Sequence, residues 1–250
     1  MTSTTPPPVA VITGASRGLG RALAGALAGR GWQLVIDGRD PGRLGAAAAE
    51  LSRTTRVTAV AGDVADPAHR HELAAAVDRA GGLDLLVNNA SILGPSPLPT
   101  LAEHPLDVLG QVYAVNTVAP LALTQLLLEP LRRRNGRLIN VSSDAAVRAY
   151  AGWGGYGSSK AALDALTAVL AVELADLRVY AVDPGDLRTD LHQAAFPGED
   201  ISDRPHPDTV VPALLRLVDG DLPSGRYRAA DLDPGTEAAA PVPAQPAGAR

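Results

Sequence analysis

The chain has 250 residues, with 22 Lys and Arg against 27 Asp and Glu, so its formal charge is −5 and no basic block marks it as a nucleic-acid binder. It contains no cysteine, which excludes a disulfide framework, thiolate catalysis and thiolate metal sites. Apolar residues make up 46% but aromatic ones only 3%, so the core must be built of Ala, Val and Leu, within one domain.

Residues 1–8, ending in three prolines, read as a disordered tail. They lack the basic start and apolar run of a signal peptide, and no unbroken apolar stretch reaches ~18 residues. The expectation is a cytoplasmic protein without a membrane partner. Residues 9–13 are an all-apolar run, as in a strand buried on both faces. A glycine-rich turn follows, and residues 21–30 show helical spacing. The alternation then repeats: strands at 33–37, 56–60, 84–87, 137–141 and 178–182, with helices at 41–52, 67–80 and 156–175. Residues 103–134 hold one long or two abutting helices, with Pro120 and Pro130 as expected kink points. A polar, Pro-containing segment at 183–207 breaks the rhythm. A helix at 208–217 and a final strand at 225–229 close a single domain spanning 9–232, and the Pro/Ala-rich stretch 233–250 reads as a disordered tail. Alternating strands and helices imply a parallel sheet covered on both faces.

Chemistry concentrates first in Gly14, Gly18 and Gly20, with Thr13, Ser16, Arg17 and Leu19 among them. Placed after a strand and before a helix, such a loop lets backbone amides and a helix N-terminus approach a pyrophosphate. The second strand ends Ile36-Asp37-Gly38-Arg39. An acid there suits a free ribose 2′-hydroxyl and hence NAD, whereas Arg39, with Arg17 opposite, suits a 2′-phosphate. The expectation is NADP, with NAD the less favoured cofactor. Asp63 and Val64 are positioned to meet the adenine, although Asp63 serves equally as a helix cap. Asn88, Asn89 and Ala90 end the fourth strand at the carboxyl edge of the sheet, and Pro184, Gly185 and Thr189 follow the sixth.

The second concentration is Ser143 with Tyr156-Gly-Ser-Ser-Lys160. Residues four apart on a helix share a face, so Lys160 lies near the Tyr156 phenol. A phenol titrates near ~10, and lowering it to ~7 takes roughly 4 kcal/mol; one unit charge at ~4 Å in an effective dielectric of ~20 supplies about that much. Ser143 can hold a substrate oxygen beside the phenol. Asn116 sits mid-helix, where asparagine needs a reason. No metal site is expected: His69 and His71 do not share a helix face, and His104, His192 and His206 lack ligand-like partners.

Together these motifs resemble the short-chain dehydrogenase/reductase family. Ser143 lies thirteen residues before Tyr156 and Asn116 twenty-seven before Ser143, as that family's pattern has them, and the resemblance covers residues 9–230. It implies a Rossmann-like, doubly wound three-layer α/β sandwich with seven parallel strands in the order 3-2-1-4-5-6-7. It also implies reversible hydride transfer between a nicotinamide cofactor and a carbonyl or alcohol. On that likeness Tyr156 is the general acid/base, Lys160 lowers its pKa and holds the nicotinamide ribose, Ser143 positions substrate, and Asn116 anchors a relay water. The likeness also implies homodimers or homotetramers paired through the helices at 103–134 and 156–175. Three departures stand out: Ser91 where the family usually has Gly, Asp183 where Asn is common, and Gly225-Arg-Tyr-Arg in place of an Asp-Gly-Gly ending. The leading expectation is a carbonyl reductase acting on a small molecule, with Leu93, Ser143, Trp153, His192 and Phe196 around the substrate. A non-redox epimerase or dehydratase and a cofactor-sensing binding protein are the alternatives.

Overall fold

The computed structural model describes residues 6–232. The expected tail at 233–250, and residues 1–5 of the expected N-terminal tail, lie outside the described residues. Pro8, assigned to that tail, is instead tied to the sheet, its carbonyl accepting from Gln33 N at 2.8 Å.

The strands are β1 (Val9–Ile12), β2 (Gln33–Gly38), β3 (Val57–Ala61), β4 (Leu85–Asn88), β5 (Arg137–Val141), β6 (Arg178–Asp183) and β7 (Gly225–Arg228). The helices are α1 (Gly18–Gly29), α2 (Pro41–Leu51), α3 (Pro67–Ala80), α4 (Leu106–Tyr113), α5 (Ala119–Arg133), α6 (Gly154–Glu173), α7 (Asp190–Ala195) and α8 (Val211–Asp219). All seven strands pair in parallel in the order β3-β2-β1-β4-β5-β6-β7. This is the doubly wound sheet that the family resemblance implies. Its switch point, where ligands bind in such folds, lies between β1 and β4, which are in register at Ile12 and Val87.

Two-residue periodicity distributes the strand side chains. Val9 and Val11 pack with Leu73, Val77, Leu123 and Leu127 on one face. Ala10 and Ile12 pack with Leu23, Leu27, Leu214 and Leu217 on the other. Each fully buried leucine contributes roughly 2 kcal/mol, and Ala10, Ala24 and Ala76, all essentially inaccessible, let helices approach where large aromatics are absent.

Two local expectations are corrected. Helix α1 starts at Gly18 rather than Arg21: the last turn of the glycine loop is already helical, with Arg21 N reaching Arg17 O at 3.3 Å. Glycine's poor helix propensity hid this from sequence reasoning. The rod from Leu106 to Arg133 is not broken at either proline. Its irregularity is a π-helical turn, Ala114–Val118, in which Ala119 N bonds Ala114 O five residues back. The ladder is thus rearranged just before Pro120, where a missing amide costs least. The rod is 28 residues long and apolar by composition, and its Leu123, Leu127 and Leu131 are buried against the sheet.

Candidate active site

A cavity of about 680 Å³ opens along the carboxyl ends of β1, β2, β4, β5 and β6, within the size range of small-molecule sites. Its floor at the switch point is the loop between β1 and α1. Thr13 Oγ1 accepts from Asn89 N and Ala90 N, each at 2.9 Å, and Asn89 Nδ2 donates to Thr13 O at 2.8 Å. Gly14 holds φ +64°, and a Cβ there would lie 2.9 Å from Ala90 Cα. Gly18 holds φ +58° and faces Thr189 across the cavity. Gly14, Ser16, Arg17, Gly18 and Leu19 line the cavity. Gly20 does not: it lies beneath the loop, where a Cβ would come within 2.5 Å of Asn89 Nδ2. Positive-φ glycines and a helix start make a cradle that fits a pyrophosphate; Arg17, one side of it, pairs with Asp190 at the start of α7.

At the end of β2 the two residues expected to select the cofactor separate. Asp37 is 1% exposed and turned inward, its Oδ1 accepting from Gly14 N at 2.6 Å and its Oδ2 bonded to His69 Nε2 at 3.0 Å. Arg39 is exposed at the cavity wall and has no hydrogen-bond or ion-pair partner among the described residues. Asp63 and Val64 line the same end, Asp63 also accepting from Ala65 N at 2.8 Å, while the cap of α3 is Asp66.

The end that holds the expected catalytic residues is assembled from buried polar groups. Lys160, 1% exposed, reaches from α6 under the sheet edge, and its Nζ donates to Val141 O at 2.7 Å. Its ammonium lies 5.7 Å from the Tyr156 ring centre. Burial governs both groups: it pushes the Tyr156 phenol up to about 12 and the Lys160 ammonium down to about 8. Hydrogen bonds with Ser91 and Ser143 pull the phenol back only partly. The expected lowering of the phenol by the Lys160 charge is thus outweighed by burial in the protein on its own. Desolvation is the larger effect, and at neutral pH Tyr156 is a protonated donor.

Ser143 Oγ accepts from Ala145 N at 3.2 Å and faces the phenol. Its carbonyl is held by Arg226 Nη2 at 2.9 Å. Arg226 also binds Asp164 at 2.8 Å and lies 3.5 Å from Asp183. Burial raises the Asp183 carboxyl, and hydrogen bonds from Gly185 N and Arg226 oppose the shift. Two of the departures from the family pattern, Asp183 and the Arg226 segment, are therefore one ion-pair network behind Ser143. The third, Ser91, lines the cavity, donates to Asn116 Oδ1 at 3.2 Å and faces the Tyr156 hydroxyl.

Asn116 does not reach the cavity. Fully buried, it accepts from Ile92 N at 2.9 Å and donates to Ile92 O at 2.9 Å and Ser159 Oγ at 3.0 Å, clamping the segment after β4 to α6. Asn88 is likewise buried and bonded to Asn140 at 2.8 Å, and does not line the cavity. Of the expected substrate residues, Trp153, His192 and Phe196 line the wall with their rings 5.0–6.0 Å apart in sequence around Tyr156. Leu93 packs behind the wall against Ala145 and Tyr156. Pro184, Gly185 and Thr189 line the cavity, Thr189 also capping α7 through His192 N at 3.2 Å. Sequence reasoning singled out neither Asp144 nor Tyr150, whose side chains join at 2.6 Å beside Trp153, although Tyr150 lies in the loop 145–155 expected to enclose the substrate. Their signal was only an acid after Ser143 and one aromatic in a loop, neither specific. Among the described residues no group of three or more His, Asp or Glu is placed to hold a metal ion.

Comparison with known proteins bears on this arrangement. Residues 8–200 match the family described as short chain dehydrogenase. The chain is 33% identical to the L-xylulose reductase of Aspergillus niger over 232 residues, 85% of this chain and 77% of that one. A short chain dehydrogenase from Pseudomonas syringae superposes with a TM-score of 0.83 at 32% identity, covering 91% of this chain and 98% of that one. One from Shigella flexneri, solved in complex with NADP, does so with a TM-score of 0.81 at 29% identity, covering 89% and 97%. The fold, the glycine cradle and these matches agree: the chain belongs to the short-chain dehydrogenase/reductase family.

Proposed function

We propose that this protein is an NADPH-dependent carbonyl reductase whose proton donor is Tyr156. The observation that carries this reading is that the Tyr156 phenol and the Ser143 hydroxyl face one another in the cavity, with the Lys160 ammonium buried beneath. A bound nicotinamide dinucleotide supplies the hydride. Ser143 and Tyr156 hold the carbonyl oxygen, and Tyr156 passes its proton to that oxygen as negative charge develops there. An ammonium has three donors; Val141 O takes one, leaving two of the Lys160 N–H bonds for ribose hydroxyls at the cavity floor. Asn116 acts as a clamp that fixes the Ser91–Ile92 segment against α6. The preference for NADPH rests on exposed Arg39 and inward-turned Asp37, and it accords with the NADP complex of the Shigella flexneri relative.

The substrate end is aromatic and acidic. Tyr150, Trp153, Phe196 and His192 form one wall, and the charged groups lining it are Asp144 and Asp186. Flat, uncharged or cationic carbonyl compounds fit such a wall, and carboxylate-bearing ones are repelled. Val118, Val169 and Val172, each more than half exposed on α5's preceding turn and on α6, fit pairing of two copies through those helices. Titration of the purified protein with NADPH and NADH, followed by NADPH absorbance with aryl ketones, alkyl ketones and keto acids, tests the reading. Tight NADPH binding and turnover of aryl ketones ahead of keto acids is expected. Failure to bind either dinucleotide, or NADH bound better than NADPH, overturns the reading.

A further inference from the structure

Strand β2 ends with two residues of opposite preference, an acid that suits a ribose 2′-hydroxyl and an arginine that suits a 2′-phosphate. The mechanism uses neither Asp37 nor His69, yet both are buried, 1% and 4% exposed, in contact across the base of the cavity. Both oxygens of Asp37 are occupied, one by Gly14 N at 2.6 Å and the other by His69 Nε2 at 3.0 Å. The acceptor on Nε2 places the imidazole proton there, and Nδ1 has no partner among the described residues. The imidazole is enclosed by Gly62, where any Cβ would collide with it. Asp37 nonetheless belongs to the wall that also carries Ser16 and Arg39. Released from His69, its carboxylate would be a buried charge with one remaining bond, which is strongly unfavourable, and the cavity is the exit open to it.

We propose that His69, which does not line the cavity, sets cofactor choice: by binding Asp37 it keeps a carboxylate away from the 2′ position of the adenosine ribose and leaves Arg39 to receive a 2′-phosphate there. His69 is a positioning residue, acting through Asp37. The proposal rests on the reading of the protein as NADPH-dependent. It explains how a chain with an acid at the end of β2 can still favour the phosphorylated cofactor, and why a glycine stands at position 62.

Dissociation constants for NADPH and NADH, measured by protein fluorescence on wild type and variants, test it without reference to turnover. His69→Leu should lower the NADPH:NADH preference at least tenfold, chiefly by weakening NADPH. His69→Gln, whose amide can still donate to Asp37, should stay within threefold of wild type. The double variant Asp37→Asn with His69→Leu should recover the preference, because the displaced group then carries no charge. An equal loss for both cofactors in His69→Leu, or no recovery in the double variant, would show a structural role only and overturns the proposal. Should His69→Leu not fold, Asp37→Asn alone decides: a ratio within threefold of wild type supports inward sequestration, and a selective loss of NADH shows Asp37 already on the ribose and overturns it. Wild type favouring NADH removes the NADPH reading and this proposal together. Wild type favouring NADPH with an unchanged ratio in His69→Leu removes this proposal alone.

Discussion

The two ends of the cavity are built on opposite principles. The end proposed for the dinucleotide is made of backbone: positive-φ glycines and a helix start, locked by Thr13 and Asn89 through hydrogen bonds that need no charge. The proposed catalytic end is made of side chains drawn from β5, β6, β7, α6 and the π-turn, with an ammonium and a phenol out of water and a partly buried Asp183–Arg226–Asp164 network behind them. The first end stabilises itself through local geometry. The second works against stability, because burying Lys160 as a cation costs roughly 3 kcal/mol by its displacement from 10.5 to about 8. Function is thus held at one end by steric fit and at the other by a burial penalty that the rest of the fold offsets.

Four changes test that contrast. The largest effect is expected from Tyr156→Phe, which removes the proposed proton donor and should lower turnover by about 10²–10⁴ while NADPH affinity, measured by fluorescence, changes little. Turnover within threefold of wild type would remove Tyr156 from its role. Gly20→Ala attacks the other end. Its Cβ would meet Asn89 Nδ2 at 2.5 Å and Gly14 O at 2.7 Å, and overpacking of this kind costs about 1–3 kcal/mol; affinity for NADPH and NADH should fall together, and the melting temperature with them.

Lys160→Met should abolish efficient turnover yet raise stability at pH 7 by about 2 kcal/mol, less than the full penalty because the bond to Val141 O is lost. The sign follows from the folded pKa lying below the unfolded one. Between about 8 and 10.5 the unfolded wild type binds more protons than the folded, so wild-type stability rises with pH across that window and the advantage of the variant shrinks. Above pH 10 the raised phenol of Tyr156 acts oppositely, since the folded state keeps a proton that the unfolded chain releases, and stability falls. Urea denaturation at pH 7, 9 and 10 measures this, and a variant less stable than wild type at pH 7 would show that burial of the ammonium is not costly here. Arg226→Gln should have the smallest effect, about 1–2 kcal/mol of stability, because its pairs are only partly buried; kcat should fall more than KM rises, since Ser143 loses the support of its carbonyl.

Much was legible in advance because it is local. The strand at 9–12 is a continuous apolar run, those at 33–38 and 137–141 are built on the short apolar runs Leu34–Ile36 and Leu138–Ile139, and the glycine loop, the end of β2 and the Tyr156–Lys160 pair each lie within one supersecondary unit. Long-range facts were not legible. That Asn116 spends its amide on Ile92 and Ser159, that Ser91 faces the phenol, and that Asp183 and Arg226 are partners depend on residues 24–65 positions apart being brought together. Asp144 and Tyr150 were not singled out because an acid and an aromatic in a loop have many ordinary explanations.

By itself the sequence determined the alternation of elements, hence a parallel sheet with two covered faces, and the order of the reactive residues along it. Periodicity and glycine placement are properties of neighbouring residues and survive without a fold. Only the tertiary structure decided which way Asp37 turns, that the Tyr156 phenol rises rather than falls, and which of the named residues reach the cavity. Those outcomes depend on burial, which no residue possesses until the others have packed around it.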